Sequence, residues 1–261
     1  MGCSSVSKIR MVSMHKFFID EKNVKDDSIF IYGEDVNHIA KVLRLKNLDD
    51  VLLSDGKGNE YICSIDSIDK KSVKCIIKDK FKNITEPDIK ITLYQGLPKA
   101  QKMDLIIQKS VEIGVFKIQP VITERTVVKI DGKDINLKLE RWNKISSEAA
   151  KQSNRGIIPK VAKPILFKEA LKELCTMDLS VVPYENEKDN GLKKILSKKT
   201  GIKNVGIFIG PEGGFADEEI KACIEKNVIP VTLGPRILRT ETAGFVTSSI
   251  ILYEISDMGG K

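Results

Sequence analysis

The chain has 261 residues, of which 41% are hydrophobic and 30% are charged, with a formal net charge of +7. This length allows one large or two modest domains with a normal core, and the absence of any uncharged apolar run of about 18 residues disfavours a membrane protein. Five scattered cysteines and two histidines make a disulfide framework or a Cys/His zinc site unexpected and favour reduced cysteines in the cytoplasm.

The first 13 residues, MGCSSVSKIRMVS, differ in composition from the rest of the chain, and Met14 opens a strand-like run. Gly2 and Cys3 suggest lipidation, but the myristoylation pattern requires Ser or Thr where Val6 stands. The segment is also too short and too polar for a secretory signal. We therefore expect residues 1–13 to form a disordered extension.

Residues 14–83 have the pattern of a small β-barrel. Short apolar or alternating runs, each typical of a strand, are HKFFI, SIFIY, DVLLSD, EYICSID and SVKCIIK. Turn residues separate these runs, most clearly the DGKGN stretch at 55–59. The stretch DVNHIAKVLRL instead has helical spacing, because Val36, Ile39, Ala40 and Leu43 recur on one face.

Beyond a boundary marked by Pro87, strands alternate with helices. The predicted strands are IKITLYQG, FKIQPVIT, DLSVVPYE, KNVGIFIG and IPVTLG, and the predicted helices are KAQKMDLIIQKSVEIG, KLERWNKISSEAAKQSN, ADEEIKACIEKN and AGFVTSSIILYEIS. The apolar face of the first helix comprises Met103, Ile106, Ile107, Ser110 and Val111, and Gly114 ends it. This alternation predicts a parallel α/β sheet.

The positive charge is confined to the middle of the chain. Residues 90–163 carry a net charge of +8, whereas residues 14–83 are neutral and residues 164–261 carry −1. A localised basic block favours a polyanion partner such as RNA. Solvated, lysine-rich helix faces are the alternative explanation.

The glycine-rich stretch IGPEGGF, at 209–215, follows a predicted strand at the end of the sheet where ligands bind. It lacks the P-loop and dinucleotide-binding fingerprints. Glu212 and the acidic residues at 217–219 would also repel a phosphate. The loop therefore favours a neutral or cationic ligand, while a simple tight turn also explains its glycines.

The stretch RILRTETAG, at 236–244, is unusually polar for a connection between a strand and a helix. Arg236 and Arg239 are three residues apart and would share one face of a helix. Such arginine pairs suit phosphates and carboxylates. Thr240 or Thr242 is predicted to cap the final helix, with Glu241 favourable near its start. Capping leaves both arginines without an explanation.

Two further features allow both structural and functional interpretations. Glu148, Lys151, Gln152 and Arg155 recur at helical spacing, which fits either a solvated helix face or contacts with RNA. Phe215 follows the glycine-rich loop, and we predict that it packs in the core rather than stacking on a base.

Taken together, these segments resemble the bacterial ribosomal RNA small subunit methyltransferase E family, within the SPOUT class. The resemblance runs from MHKFF at Met14 to about Ile255. The segments that carry it are HIAKVLRLKNLDDVLLSDGKGNEY, LPKAQKMDLIIQKSVEIGV, ITERTVVK, RWNKISSEAAKQSNR, FIGPEGGFADEE and LGPRILRTETA. The last two, about twenty residues apart, are the most specific in order and spacing.

The resemblance implies a PUA-like β-barrel at 14–83 that helps to hold RNA. It implies a SPOUT methyltransferase domain at 84–261 that contains a parallel sheet and whose last third forms a trefoil knot. The implied reaction is methylation of one uridine N3 in 16S rRNA by S-adenosylmethionine, performed by a cytoplasmic homodimer. The implied cofactor-binding residues are Val182, Pro183, Tyr184, Ile209, Gly210, Pro211, Glu212, Gly214, Leu233, Gly234, Ile237, Leu238, Arg239 and Thr240.

Beside this resemblance, we assign roles to polar residues as hypotheses. Arg236 and Arg239 would stabilise negative charge on the uracil or hold nearby phosphates, and Glu212 or Glu241 would accept the N3 proton or orient an arginine. The candidate RNA contacts are Arg44, Arg125, Lys129, Lys151 and Arg155. No metal is expected.

Two other functions remain open from the sequence alone. A non-catalytic RNA-binding protein of ribosome assembly would bind RNA without binding S-adenosylmethionine. A nucleotide-dependent enzyme would use GPEGG as a phosphate loop, which the local acidic residues disfavour.

Overall fold

The computed structural model describes residues 14–127 and 132–260, without the side chains of residues 132 and 133. The chain forms two compact units. The first comprises residues up to Glu86 together with Asn154–Ile158, and the second comprises Pro87–Ser153 and the chain from Pro159 onward. The expected extension at 1–13 lies outside the described residues. In the described part of the chain, no helix is both long and apolar enough to cross a membrane.

The first unit contains a six-stranded sheet. Its strands are β1 (His15–Phe18), β2 (Val24–Lys25), β3 (Ser28–Tyr32), β4 (Asp50–Ser54), β5 (Asn59–Ile68) and β6 (Ser72–Lys82), in the spatial order β1-β4-β5-β6-β3-β2. Strand β1 pairs with β4 in parallel, and the other pairs are antiparallel. A 3₁₀ helix (Glu21–Asn23), helix α1 (Glu34–Asn37) and a π-helical turn (His38–Val42) complete the unit.

One apolar core holds this sheet together. Period-two alternation directs Ile29 and Ile31 of β3 inward, where they join Val51 and Leu53 of β4. Ile39 of the π-helical turn lies in the same cluster and is fully buried. The predicted apolar face at 36–43 is confirmed for Val36, Ile39 and Leu43, which pack in or against this core, whereas Ala40 is exposed. These residues lie on a short α-helix that continues as a π-turn.

The return segment Asn154–Ile158 is held in the first unit by buried charges. Arg155, whose side chain is 3% exposed, donates through Nη2 to Oε2 of Glu86 at 2.6 Å. Nζ of Lys16 donates to the carbonyl oxygen of Arg155 at 2.7 Å and to the carboxylate of Glu60. The predicted RNA contact through Arg155 is therefore wrong: helix α3 (Gly132–Gln152) ends before this residue, and its guanidinium is buried in an ion pair.

The second unit is a parallel α/β sheet, as predicted. Its strands are β7 (Lys90–Gly96), β8 (Lys117–Ile122), β9 (Lys160–Val161), β10 (Ile165–Leu166), β11 (Leu179–Pro183), β12 (Asn204–Ile209) and β13 (Ile229–Val231). Their order is β10-β8-β7-β12-β11-β13, with β9 beside β8, and all the pairs are parallel. Strands β7 and β12 are buried along most of their length and form the centre.

Helices flank this sheet. Besides α3 they are α2 (Lys102–Glu112), α4 (Phe167–Leu174), α5 (Leu192–Leu196), α6 (Asp217–Glu225) and α7 (Thr240–Ile255). The buried face of α2 consists of the five residues that its periodicity predicts, and Gly114 beyond its end has a φ of +109°. Strands β9 and β10 and helices α4 and α5 were not predicted, because elements of two to eight residues carry weak periodicity.

The start of the last helix corrects one prediction. Helix α7 begins at Thr240, and its N-cap residue, Arg239, makes no capping hydrogen bond through its side chain. Neither Thr240 nor Thr242 caps the helix. Residues 232–239 form no regular helix, so the three-residue spacing of Arg236 and Arg239 does not place them on one helical face.

Candidate active site

The carboxyl ends of β7, β12, β11 and β13 lie side by side, because these strands are adjacent and parallel. The loops beyond these strand ends surround two neighbouring cavities. The first cavity has a volume of about 580 Å³ and is lined mainly by residues 183–188 and 232–238. The second has a volume of about 420 Å³ and is lined mainly by residues 209–215 and 237–241. Their common wall consists of Pro183, Glu185, Ile237, Leu238 and Ala243.

The glycines of the loop at 210–214 leave little room for side chains at their positions. A Cβ atom on Gly210 would lie 3.1 Å from the carbonyl carbon of Gly214, and Gly214 has a φ of +68°. The next residue, Phe215, is buried with its ring 4.7 Å from that of Phe208, as predicted. The glycines therefore expose backbone N–H and C=O groups at the second cavity.

A buried chain of hydrogen bonds joins three segments beneath this loop. Nε2 of Gln95, at the end of β7, donates to Oγ1 of Thr240 at 2.9 Å. The Thr240 hydroxyl donates in turn to the carbonyl oxygen of Gly210 at 2.6 Å. Thr240 thus fixes the glycine-rich loop to the start of α7. Oε1 of Gln95 is buried and has no hydrogen-bond partner among the described residues.

Replacing Thr240 by valine keeps the shape of the side chain but removes the hydroxyl, which leaves Nε2 of Gln95 and the carbonyl oxygen of Gly210 each without this bond. Unmade buried hydrogen bonds of this kind cost about 1–3 kcal/mol. We expect the T240V variant to unfold at correspondingly lower denaturant concentration, as measured by circular dichroism. Thr242→Val is the control, since Thr242 lies in the same helical turn outside this chain of hydrogen bonds. Equal stability of the two variants would contradict the assignment.

A cluster of charged side chains forms one wall of the second cavity. Nζ of Lys102 lies 3.1 Å from Oε1 of Glu212 and 3.3 Å from Oε2 of Glu241. The backbone N–H of Lys99 donates to Oε1 of Glu212 at 3.0 Å. Nη1 of Arg239 lies 3.8 Å from Oε1 of Glu241, although the Arg239 side chain is 81% exposed. Glu241 Oε2 is buried and, despite the nearby ammonium group, makes no hydrogen bond among the described residues.

The two carboxylates differ in how firmly they are held. Burial raises the pKa of Glu212, but hydrogen bonds from its own backbone N–H, from Lys102 and from Lys99 outweigh burial and hold that pKa below its usual range. Glu212 is therefore ionised at neutral pH and is a weak base. Glu241 accepts fewer hydrogen bonds among the described residues.

The glycine-rich loop is also held from the side of β8. Nη1 of Arg125 donates to the carbonyl oxygen of Gly213 at 2.9 Å. Glu219, which is buried, accepts hydrogen bonds from the backbone N–H groups of Glu124 and Ala216, both at 3.0 Å. Arg125, predicted as an RNA contact, thus also has a structural partner beside the cavity.

The chain matches two family models. Residues 85–252 match an RNA methyltransferase domain, and residues 31–78 match an RNA methyltransferase PUA domain. The ribosomal RNA small subunit methyltransferase E of Bacillus subtilis is 35% identical over 95% of this chain and 99% of its own length. That of Buchnera aphidicola is 33% identical over 95% of this chain and 97% of its own. The chain belongs to the ribosomal RNA small subunit methyltransferase E family.

A solved structure of this family is similar throughout. The Neisseria gonorrhoeae ribosomal RNA small subunit methyltransferase E, crystallised with S-adenosylmethionine, superimposes with a TM-score of 0.85. It is 30% identical and covers 94% of this chain and 99% of its own. Together with the PUA match, this likeness confirms the predicted PUA-like domain and the predicted SPOUT-type methyltransferase domain with a parallel sheet.

In this protein, most of the predicted site residues lie close together. Every residue predicted to bind the cofactor lines one of the two cavities except Val182, whose side chain is buried in the core beneath them. Arg236 lines the first cavity, whereas Arg239, Glu212 and Glu241 line the second. The two arginines therefore face different cavities.

The remaining predicted RNA contacts are Arg44, Lys151 and Lys129. Arg44 is exposed, and Lys151 lies 3.7 Å from Glu148 on α3. Lys129 lies outside the described residues. Among the described residues, no group of three or more His, Cys, Asp and Glu side chains could hold a metal ion.

Three residues of the site were not singled out from the sequence: Lys102 and Glu185, which line the second cavity, and Gln95, which is buried beneath the glycine-rich loop. Gln95 is a polar residue near the end of a buried central strand, and this was an available signal. Lys102 and Glu185 follow strand ends within a few residues. Charged residues are common at such positions, so the sequence alone does not mark these two as site residues.

Proposed function

We propose that this protein transfers a methyl group from S-adenosylmethionine to N3 of a uridine in 16S rRNA of the small ribosomal subunit. The observation that carries the proposal is the convergence of the loops at 209–215 and 232–240 around paired cavities. Relatives that share this chain's length are named as small-subunit rRNA methyltransferases, and one was crystallised with S-adenosylmethionine.

The residues around the cavities suit that cofactor. Backbone groups at 209–211, 233–234 and 237–238 can bind adenine, ribose and methionine, with Pro183 and Tyr184 as an apolar wall. Gly210 and Gly214 allow a ligand to approach the backbone closely. Glu212 and Glu185 favour a cationic ligand over a phosphate. S-adenosylmethionine, when bound, supplies an electrophilic methyl group on a sulfonium.

The protein's own contribution is to orient the uracil and to manage charge. N3 of uracil loses a proton as it becomes methylated, and we assign that proton to the Glu241 carboxylate. Negative charge developing on the uracil oxygens is stabilised by Arg239 at the same cavity. Arg236, at the other cavity, is placed to hold a phosphate or the cofactor's carboxylate. Glu212 remains ionised and holds the glycine-rich loop.

We propose the same assignment of partners that the family resemblance implies. Residues 14–83 act as an RNA-binding domain and residues 84–261 as the methyltransferase domain, whose last third forms the trefoil knot. Arg44, Arg125, Lys129 and Lys151 contact the RNA backbone of the 30S subunit. The protein acts as a cytoplasmic homodimer, and the half-exposed face of α7, which includes Phe245, Val246 and Ile250, supports dimer formation.

The proposal is tested by two measurements on the full-length protein. Calorimetric titration should give saturable binding of S-adenosylmethionine, with ATP and NAD as negative controls. Methyl transfer should then occur to 30S subunits from a strain that lacks the modification, with the methyl group on a uridine N3. RNA binding without S-adenosylmethionine binding would instead identify a non-catalytic assembly protein.

Arg239→Ala should lower kcat for methyl transfer by about tenfold, a modest effect for a charge-stabilising group because this guanidinium is largely exposed. Affinity for S-adenosylmethionine should change less than about threefold, as measured by calorimetry. Arg141→Ala is the matched control, since Arg141 pairs with Asp104 on the helices and lines neither cavity. If Arg239→Ala kept full methyl transfer and full RNA affinity, the role assigned to Arg239 would be wrong.

A further inference from the structure

Lys102 connects three segments at the second cavity. It is the first residue of α2, immediately after the loop that leaves β7. Its ammonium group contacts Glu212 of the glycine-rich loop at 3.1 Å and Glu241 in the first turn of α7 at 3.3 Å. The side chain is 34% exposed and lines the cavity. These contacts join elements more than 100 residues apart in sequence.

The environment of Glu241 distinguishes this contact from a surface ion pair. The Glu241 side chain is only 13% exposed, and its Oε2 is covered without a hydrogen-bond partner among the described residues. A buried carboxylate needs compensating positive charge. Lys102 supplies that charge at Oε2, while Arg239 is more distant from Oε1 and mostly solvated.

The same ammonium group holds the glycine-rich loop through Glu212. The backbone N–H of Lys99 donates to Oε1 of Glu212 at 3.0 Å, the same oxygen that Nζ of Lys102 contacts at 3.1 Å. The contact with the Glu212 carboxylate, aided by the charge of Glu241, outweighs the opposing effect of burial and raises the pKa of Lys102. Lys102 is therefore a fixed cation and not a proton acceptor at neutral pH.

We propose that Lys102 is a positioning residue for methyl transfer, which holds the glycine-rich loop against the start of α7 and orients the Glu241 carboxylate in the second cavity. The effect of Lys102 on methyl transfer rests on the proposed function. The effect of Lys102 on the glycine-rich loop and on Glu241 does not, because it depends only on contacts within this chain.

Three variants test the proposal. Lys102→Met removes the charge and keeps the length of the side chain, which suits the first position of a helix. Lys102→Arg keeps the charge and is the conservative rescue variant. Lys109→Met is the matched control, because Lys109 lies on the same helix and pairs with Glu112 away from both cavities.

The first readout is amide hydrogen exchange in the ligand-free protein. Lys102→Met should speed exchange at least about fivefold in peptides covering 210–216 and 239–243, because local opening becomes easier when a tertiary contact is lost. Peptides from strand β12 should be unchanged. Lys102→Arg should restore most of the protection, and Lys109→Met should match the wild type. Unchanged exchange at both segments in Lys102→Met would overturn the proposal.

The second readout separates positioning from simple stabilisation. Lys102→Met should lower kcat at least about tenfold, because small misplacements of reacting groups are costly, with KM for 30S subunits nearly unchanged. Lys102→Arg should recover kcat to within about threefold of the wild type. A Lys102→Met variant with loosened segments but unchanged kcat would remove the link to catalysis. Failure of the wild type itself to transfer methyl groups would refute the proposed function, and the exchange result would still stand.

Discussion

Gly96→Ala is expected to slow methyl transfer about hundredfold and to destabilise the fold by about 2–3 kcal/mol. Gly96 ends β7, where a Cβ atom would lie 2.6 Å from the backbone nitrogen of Pro211 and 2.9 Å from the carbonyl carbon of Gly210. Ordinary carbon contacts are about 3.5–4.0 Å. The glycine-rich loop would therefore move by about 1 Å at the cavity, which methyl-transfer kinetics and thermal melting would detect.

Gly191→Ala provides the control for this substitution. Gly191 precedes α5 with a φ of −63°, and a Cβ atom there would meet nothing within 4 Å. This variant should melt and react like the wild type. If Gly96→Ala behaved the same way, the close packing between β7 and the glycine-rich loop would not determine the geometry of the site.

Local patterns in the sequence predicted the main elements of both units. Alternation at 28–32 and helical spacing at 102–112 determine which side chains are buried, and both patterns agree with the structure. The two loops at the cavities were also predictable. Strand ends followed at once by Gly or Pro mark the ligand-binding end of a parallel sheet, so residues 209–215 and 233–240 could be grouped before their contacts were known.

The partners of individual polar side chains could not be predicted in the same way. Arg155 continues the spacing of a helix that actually ends three residues earlier, and its partner, Glu86, lies 69 residues away in sequence. Thr240 looked like a helix cap, but its hydroxyl donates to Gly210 instead. A single sequence contains no record of these long-range contacts, and each of them changes the role that the local pattern predicts for the residue.

A second buried ion pair lies inside the first unit. The side chains of Lys16 and Glu60 are 3% and 6% exposed. Nζ of Lys16 donates to Glu60 and to the carbonyl oxygens of Arg155 and Asn154, the last two at 2.7 and 3.2 Å. Oε1 of Glu60 also accepts a hydrogen bond from Nδ2 of Asn83 at 2.9 Å. The three donors of the ammonium group are all used, which is the condition under which a buried charge is tolerated.

Lys16→Met should destabilise the first unit by about 3–5 kcal/mol, because it leaves the Glu60 carboxylate buried without a counter-charge. The measurement is denaturant unfolding followed by circular dichroism. Replacing both partners, as Lys16→Met with Glu60→Leu, should recover much of the loss, because no buried charge remains. Lys57→Met, which removes an exposed pair with Glu21, should cost less than about 1 kcal/mol. A double variant no more stable than Lys16→Met would show that the two carbonyl contacts of Lys16, and not its charge pairing, stabilise the return segment.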